Sequence, residues 1–324
     1  MVAAVRVHHV GGPEVLKVED VDLPPPAAGE VRVRHTAIGV NYIDTYFRSG
    51  LYPAPTSPFI LGNEAAGEVT ALGDGVSGFR TGDRVAYVAT LGSYAAERNV
   101  PASLLVKLPD TVSDETAAAM MLKGLTAEYL LHRTYAVQRG DTILMHAAAG
   151  GVGLILCQWA KHLGATVIGT VGSEEKAELA RAHGCDHVIL YRTENFPERV
   201  REITGGKLCP VVYDGVGRTT FTGSLDCLRP LGVLASFGSA SGPVEAFNLG
   251  ILGPKGSLFV TRPTLFTFLS RREWLDEMAA RLFAVVGNGA VKIAINSRAR
   301  LADVADVHRA LEGRETTGAT ILTP

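Results

Sequence analysis

Along the first third of the chain, apolar and polar positions alternate. Val31, Val33, His35 and Ala37 are interleaved with Arg32, Arg34 and Thr36, the period of a strand with one buried face. Turn signals punctuate this region at Pro24-Pro25-Pro26, Gly73-Asp74-Gly75 and Thr81-Gly82-Asp83, and set off short runs such as Glu68–Thr70 and Arg84–Val88. A β-rich domain is expected over 1–125. From Thr126 the rhythm changes. Thr142–His146, Thr166–Thr170, His187–Leu190, Val211–Tyr213, Val233–Ser236 and Ser257–Val260 are short apolar runs. Helix-length stretches lie between the earlier ones, at Gly153–Leu163, Glu174–His183 and Phe196–Ile203. Six such strands with intervening helices predict an α/β, doubly wound parallel sheet over 126–262.

After Pro263, Trp274, Leu275, Met278, Leu282, Phe283 and Val286 recur at helical spacing. A strand at Val291–Ile295, a helix carrying Val304, Val307, His308 and Leu311, and a strand at Ala319–Leu322 complete the chain. The segment 263–324 is too short for an independent core, so it is expected to rejoin the first domain, with the second inserted into it.

Composition narrows the function. There are 31 basic and 33 acidic side chains in 324 residues, which gives no general electrostatic grip on nucleic acid. The run Thr142–Ala160 is interrupted by His146, Gly150, Gly151 and Gly153 and does not read as a membrane span. No secretory pattern opens the sequence. The four cysteines (Cys157, Cys185, Cys209, Cys227) lack CxxC spacing, so a reduced, cytoplasmic protein is expected. Glycine is the outlier: 19 of the 36 fall between Gly140 and Gly256, where the backbone must turn sharply or be approached closely.

The most informative stretch is Ile143 to Leu154, an apolar strand that runs through Ala148-Ala149-Gly150-Gly151-Val152-Gly153 into a helix. In that context a GxGxxG-type turn presents backbone N–H groups and a helix N-terminus to a dinucleotide pyrophosphate, although Ala148 replaces the first glycine. The next strand ends Thr170-Val171-Gly172-Ser173-Glu174-Glu175-Lys176, with no carboxylate at its tip to accept from a ribose 2′-hydroxyl. Ser173 and Lys176 are donors suited to a 2′-phosphate, so NADPH is preferred over NADH; Glu174 and Glu175 oppose that reading.

Several stretches resemble the medium-chain dehydrogenases and reductases, and within them the zinc-free NADPH:quinone oxidoreductases of the ζ-crystallin group. They are Gly39–Asp44, Arg48–Pro53, Gly62-Asn63-Glu64-Ala65-Ala66-Gly67, Leu122–Ala127, His146–Lys161 and Val212–Gly217. The resemblance spans the chain and implies a GroES-like β-rich catalytic domain enclosing a Rossmann domain. Where metal-dependent relatives hold zinc with cysteine, histidine and a further cysteine or acid, this chain has Asn41, Asn63 and Lys123. Amides and an ammonium are poor company for Zn²⁺, so no metal is expected.

The resemblance also implies a site. Asn41 is expected beside the nicotinamide or substrate oxygen, with Tyr46 and Tyr52 as aromatic walls and Lys123 and Thr126 at the domain junction. On the cofactor side it implies Gly150, Gly151 and Val152 at the pyrophosphate and Gly172, Ser173, Lys176 and Tyr191 at the 2′-phosphate and adenosine. Val216, Phe237, Gly238, Val260 and Arg262 are expected toward the nicotinamide, and Arg314 returns from the C-terminal segment. A quinone accepts hydride readily without a Lewis acid, which fits a site that works by positioning. The resemblance further implies a homodimer formed through the cofactor domains. Two alternatives stay open: reduction of an enone or enoyl thioester, and a non-catalytic NADPH-binding protein of crystallin or RNA-binding type. No nucleic-acid or membrane partner is expected.

Overall fold

The computed structural model describes residues 1–89 and 91–324. In chain order the elements are β1 Val2–Val7, β2 Lys17–Val21, β3 Glu30–Val40, α1 Tyr42–Ser49, β4 Phe59–Ile60, β5 Glu64–Leu72, β6 Arg84–Val88, β7 Glu97–Pro101, β8 Leu105–Lys107 and α2 Asp114–Tyr129. There follow β9 Thr142–His146, α3 Gly151–His162, β10 Thr166–Val171, α4 Glu174–Ala182, β11 His187–Leu190, α5 Phe196–Ile203, β12 Cys209–Asp214, α6 Phe221–Asp226, β13 Leu228–Ser236, β14 Phe259–Thr261 and α7 Leu265–Leu269. The last elements are α8 Arg272–Gly287, β15 Ile295–Arg300, α9 Val304–Glu312 and β16 Ala319–Thr323. Two compact units result. Met1–Leu125, Arg271–Gly287 and Ile293–Pro324 form the first; Thr126–Ser270 and Asn288–Lys292 form the second. Among the described residues no helix is long and apolar enough to cross a membrane.

The first unit is built on a seven-stranded sheet ordered β15-β16-β3-β5-β6-β8, with β7 paired to the first half of β3, and a small sheet β2-β1-β4. The alternation expected for β3 is present: Val31, Val33, His35 and Ala37 are buried and face a core with Val5, Val69, Val85, Leu105 and Leu322. β16 pairs antiparallel with the end of β3, Thr320 opposite Val40, so the C-terminal segment completes this sheet. The strand expected at Val291–Ile295 instead begins at Ile295 and runs to Arg300. Its residues are mostly exposed and polar, so no apolar alternation marked it; parallel pairing with β16 and the Arg298–Glu115 ion pair hold it.

The second unit is a six-stranded parallel sheet ordered β11-β10-β9-β12-β13-β14, the doubly wound arrangement that the strand and helix rhythm predicts. The order reverses between β9 and β12, the place where such sheets bind ligands beyond their carboxyl ends. The last strand starts two residues later than expected, because Ser257 takes a left-handed φ of 54° and cannot extend the ladder.

Candidate functional site

In the second unit, β9 ends at His146 and the chain turns through Ala147, at φ 55°, into α3. A Cβ on Gly153 would lie 2.4 Å from the Ala147 carbonyl oxygen and 2.6 Å from that of Ala148, so only glycine lets α3 start this close to the turn. The replacement of the first motif glycine by Ala148 is accommodated across the sheet. Its methyl would be 2.7 Å from a Cβ on Gly169, and β10 carries no Cβ there. Gly150 closes the turn by donating to the Ala147 carbonyl at 2.9 Å. Helix geometry then leaves the first-turn N–H groups, including those of Gly151 and Val152, without intrahelical acceptors, which suits an anion.

At the end of β10, Ser173 caps α4, its Oγ accepting from the Lys176 backbone N at 3.4 Å. The Tyr191 hydroxyl stands 2.7 Å from where a Cβ on Gly172 would be, and Arg192 Nε 3.4 Å from the same point. Gly172, Ser173, Lys176 and Tyr191 are thus gathered at the adjacent ends of β10 and β11, with Arg192 as a further cation that the sequence reading did not single out. Its only signal was adjacency to Tyr191.

Beyond β12, buried Asp214 accepts from the backbone N of Val216 at 2.8 Å and of Gly217 at 3.1 Å, which shapes that turn. A Cβ on Gly238 would lie 2.4 Å from the Gly215 oxygen, so the turns after β12 and β13 touch, with Phe237 against Gly215. Arg262, two residues beyond Val260 of β14, donates from Nη1 to the carbonyls of Ser236 at 2.9 Å and Gly238 at 2.8 Å. The guanidinium therefore clasps the Phe237–Gly238 turn. His146 ties the strand ends together, with Nδ1 2.9 Å from Thr170 Oγ1 and Nε2 3.0 Å from Ser224 Oγ; burial keeps its pKa below the ordinary histidine value.

In the first unit, Asn41 follows β3 and caps α1. Its Nδ2 donates to Glu64 Oε1 at 2.7 Å, and the same oxygen takes Lys123 Nζ at 2.9 Å. Glu64 Oε2 accepts from the Leu122 backbone N at 2.6 Å. A Cβ on Gly39 would lie 2.2 Å from the Ala118 carbonyl and 2.3 Å from Glu64 Oε1, so a glycine in β3 is what admits this carboxylate beneath α2. Lys123 and Thr126 are both buried and sit three residues apart on α2, on one helix face. The Tyr46 and Tyr52 rings pack with centroids 5.1 Å apart, Tyr46 being on α1's buried side. Asp44, fully buried, accepts from the Asn41 backbone N at 2.8 Å, Asn63 Nδ2 at 2.5 Å and Tyr94 Oη at 2.8 Å. Burial outweighs these donors and pushes its pKa up to about 6. Arg314 follows α9 in a left-handed conformation, φ 60°, and its charge acts on the Tyr42 hydroxyl.

Comparison with known proteins supplies the lineage. Residues 27–110 match the alcohol dehydrogenase GroES-like domain and residues 151–284 the zinc-binding dehydrogenase family. A quinone oxidoreductase of Pseudomonas aeruginosa is 56% identical over 315 residues, 97% of each chain. The crystal structure of Escherichia coli quinone oxidoreductase complexed with NADPH superposes with a TM-score of 0.97 at 48% identity, covering 99% of this chain and 100% of that one. The chain belongs to the quinone oxidoreductases of the zinc-binding dehydrogenase family. A 2-haloacrylate reductase of a Burkholderia species is also similar, 47% identical over 332 residues, 100% of this chain and 99% of its own.

For a quinone oxidoreductase of a family described by its zinc, the donor set matters. Asn41 and Asn63 turn their amide N–H groups toward Glu64 and Asp44, and Lys123 adds an ammonium. Amide N–H groups and a cation do not fit a Zn²⁺ site. Among the described residues no three His, Cys, Asp or Glu side chains converge as metal ligands would. Sequence reasoning missed Glu64 and Asp44 as members of this site. Both lay inside quoted family stretches, and for Glu64 the available signal was a carboxylate opening a strand as apolar as Ala65-Ala66-Gly67.

Proposed function

We propose that the protein transfers hydride from NADPH to a quinone without a metal ion. When bound, NADPH supplies the hydride, leaving as NADP⁺. The quinone takes up hydride as a hydroquinone monoanion, and one proton from solvent completes the hydroquinone. The observation that carries this reading is the Lys123 ammonium held against Glu64 beside the Asn41 amide: a fixed cation and an amide can stabilise developing negative charge where relatives use zinc. Thr126 on the same helix holds the nicotinamide ribose, and Tyr46 and Tyr52 wall the acceptor ring.

On the cofactor side, the α3 N-terminus with Gly150, Gly151 and Val152 faces the pyrophosphate. Ser173, Lys176 and Tyr191, beside Gly172, hold the 2′-phosphate. Val216, Phe237, Gly238 and Val260 lie toward the nicotinamide, with Arg262 keeping their turn in shape and Arg314 gripping the cofactor. A cytoplasmic homodimer formed through the cofactor unit goes with this reading. β14 is an edge strand whose Phe259 is 58% exposed, and Leu249 and Leu231 of the same unit are exposed as well.

Conjugate reduction of an activated C=C bond is the second reading, favoured by the 2-haloacrylate reductase relative. The deciding experiment presents the purified protein, with and without chelator, with NADPH or NADH and a panel of para-quinones, ortho-quinones, enones and 2-haloacrylate. Chelator-resistant, NADPH-selective turnover of quinones is expected. Turnover abolished by chelation sinks the metal-free mechanism, turnover of enones alone favours the second reading, and no turnover of any acceptor favours a non-catalytic binding protein.

A further inference from the structure

A continuous line of buried polar side chains runs through the first unit from α9 to the cap of α1. His308, fully buried on α9, has Nδ1 3.2 Å from Arg48 Nη1 and Nε2 3.1 Å from Tyr94 Oη. Tyr94 donates to Asp44 Oδ2 at 2.8 Å, and that same oxygen accepts from the Asn41 backbone N at 2.8 Å. At the other end, Arg48 Nη2 donates to Glu312 Oε1 at 2.7 Å and Nε to the Gly11 carbonyl at 3.1 Å. A guanidinium has donors only, so His308 Nδ1 is the acceptor and Nε2 carries the hydrogen. Nε2–H then donates to Tyr94, whose own hydrogen is committed to Asp44. The direction of every bond is thereby fixed. A neutral His308 agrees with burial and the nearby Arg48, which push its pKa down to about 3.

Stability does not explain this line. Burying an arginine, a histidine, a tyrosine and an aspartate carries a desolvation penalty, and apolar side chains of the same volume would serve a core as well. What the line does is join two chain segments, each ending in a candidate site residue. One is Asn41 at the start of α1. The other is Arg314, which takes the left-handed φ of 60° while Gly313 before it sits at −66°. A glycine would adopt the left-handed conformation without strain, whereas the arginine backbone is held there at a cost.

We propose that Arg48, His308, Tyr94 and Asp44 form a positioning latch for the hydride-transfer site, fixing Asn41 at the cap of α1 and Arg314 beyond α9 in one register. Tyr94 and His308 act as positioning residues and do not touch the reactants. The inference rests on the reading of Asn41 and Arg314 as site residues.

Two double-mutant cycles on the full-length enzyme test it, with kcat and the KM for NADPH measured against a simple quinone at a temperature where every variant is folded. Tyr94→Phe keeps the ring and removes the hydroxyl. It lowers kcat about tenfold and raises the KM for NADPH about threefold, the scale of a small misplacement of reacting groups. In the Asn41→Ala background kcat no longer responds, and in the Arg314→Ala background KM no longer responds. His308→Gln, which keeps one donor and one acceptor, stays near the parent, while His308→Leu behaves as Tyr94→Phe. A Tyr94→Phe variant that loses only melting temperature, or that loses kcat equally with and without Asn41, overturns the latch. Asn41→Ala with undiminished kcat overturns the site assignment itself and the latch with it, a result distinct from a slow Asn41→Ala beside a fast Tyr94→Phe.

Discussion

The Lys123 ammonium stands 2.9 Å from Glu64 Oε1, and both side chains are buried, Glu64 at 0% exposure and Lys123 at 6%. A pair this dry is costly to break from one side, because the surviving charge loses its partner. Lys123→Met is therefore expected to destabilise the fold by about 3–5 kcal/mol and to lower kcat about 10²-fold. Adding Glu64→Gln should return most of the stability and none of the rate. Denaturant unfolding and single-turnover NADPH oxidation check the two halves; a double variant with recovered turnover would remove Lys123 from the chemistry.

The cluster at the end of β10 makes a selective prediction. Lys176→Ala should raise the KM for NADPH by about 10–100-fold, the loss of a charge-assisted contact to phosphate, while the KM for NADH moves less than twofold. Arg192→Ala should move in the same direction by less. Equal effects on both cofactors would show that neither cation reads the 2′-phosphate.

Acid sensitivity follows from three buried imidazoles. Burial pushes His35 down to about 4 and His308 to about 3, and lowers His146 as well. Unfolded histidine takes its proton near 6.5, so below that pH the unfolded chain binds more protons and stability falls as pH drops. The contributions are fully present above about 6.5 and disappear toward the folded values. Asp44, raised to about 6, works the other way: its contribution is present below the ordinary 3.8 and lost as pH rises through 6. Three imidazoles against one carboxyl give a net loss between pH 6.5 and 4. Urea unfolding at several pH values should show it, and His35→Gln should make the slope shallower; an unchanged slope would count against the buried neutral imidazole.

The exposed edge strand gives a prediction about assembly. Sedimentation should report twice the 34.3 kDa chain mass, and Phe259→Asp should shift it to one chain. A dimer indifferent to Phe259→Asp would place the contact elsewhere.

The six apolar strands, the glycine turn from Gly150 to Gly153 and the absence of a carboxylate at the tip of β10 were legible in the sequence, because each is a local pattern: a short apolar run, a turn too tight for a Cβ at Gly153, a strand end. The same holds for the alternation in β3. β15 was misplaced because Ile295–Arg300 is polar and exposed, and its strand character comes from pairing with β16, which local pattern cannot carry.

The site divides along the same line. Residue type at a strand tip pointed to Ser173 and Lys176, the family resemblance pointed to Asn41 and Lys123, and the chain order pointed to a doubly wound unit that interrupts a β-rich one. Only the tertiary structure decided that Glu64 ties Asn41 to Lys123, that Gly169 makes room for Ala148, and that His308 reaches Asp44 through Tyr94. Those partners are far apart in sequence, and hydrogen bonds between buried groups have no period along the chain; packing alone brings them together.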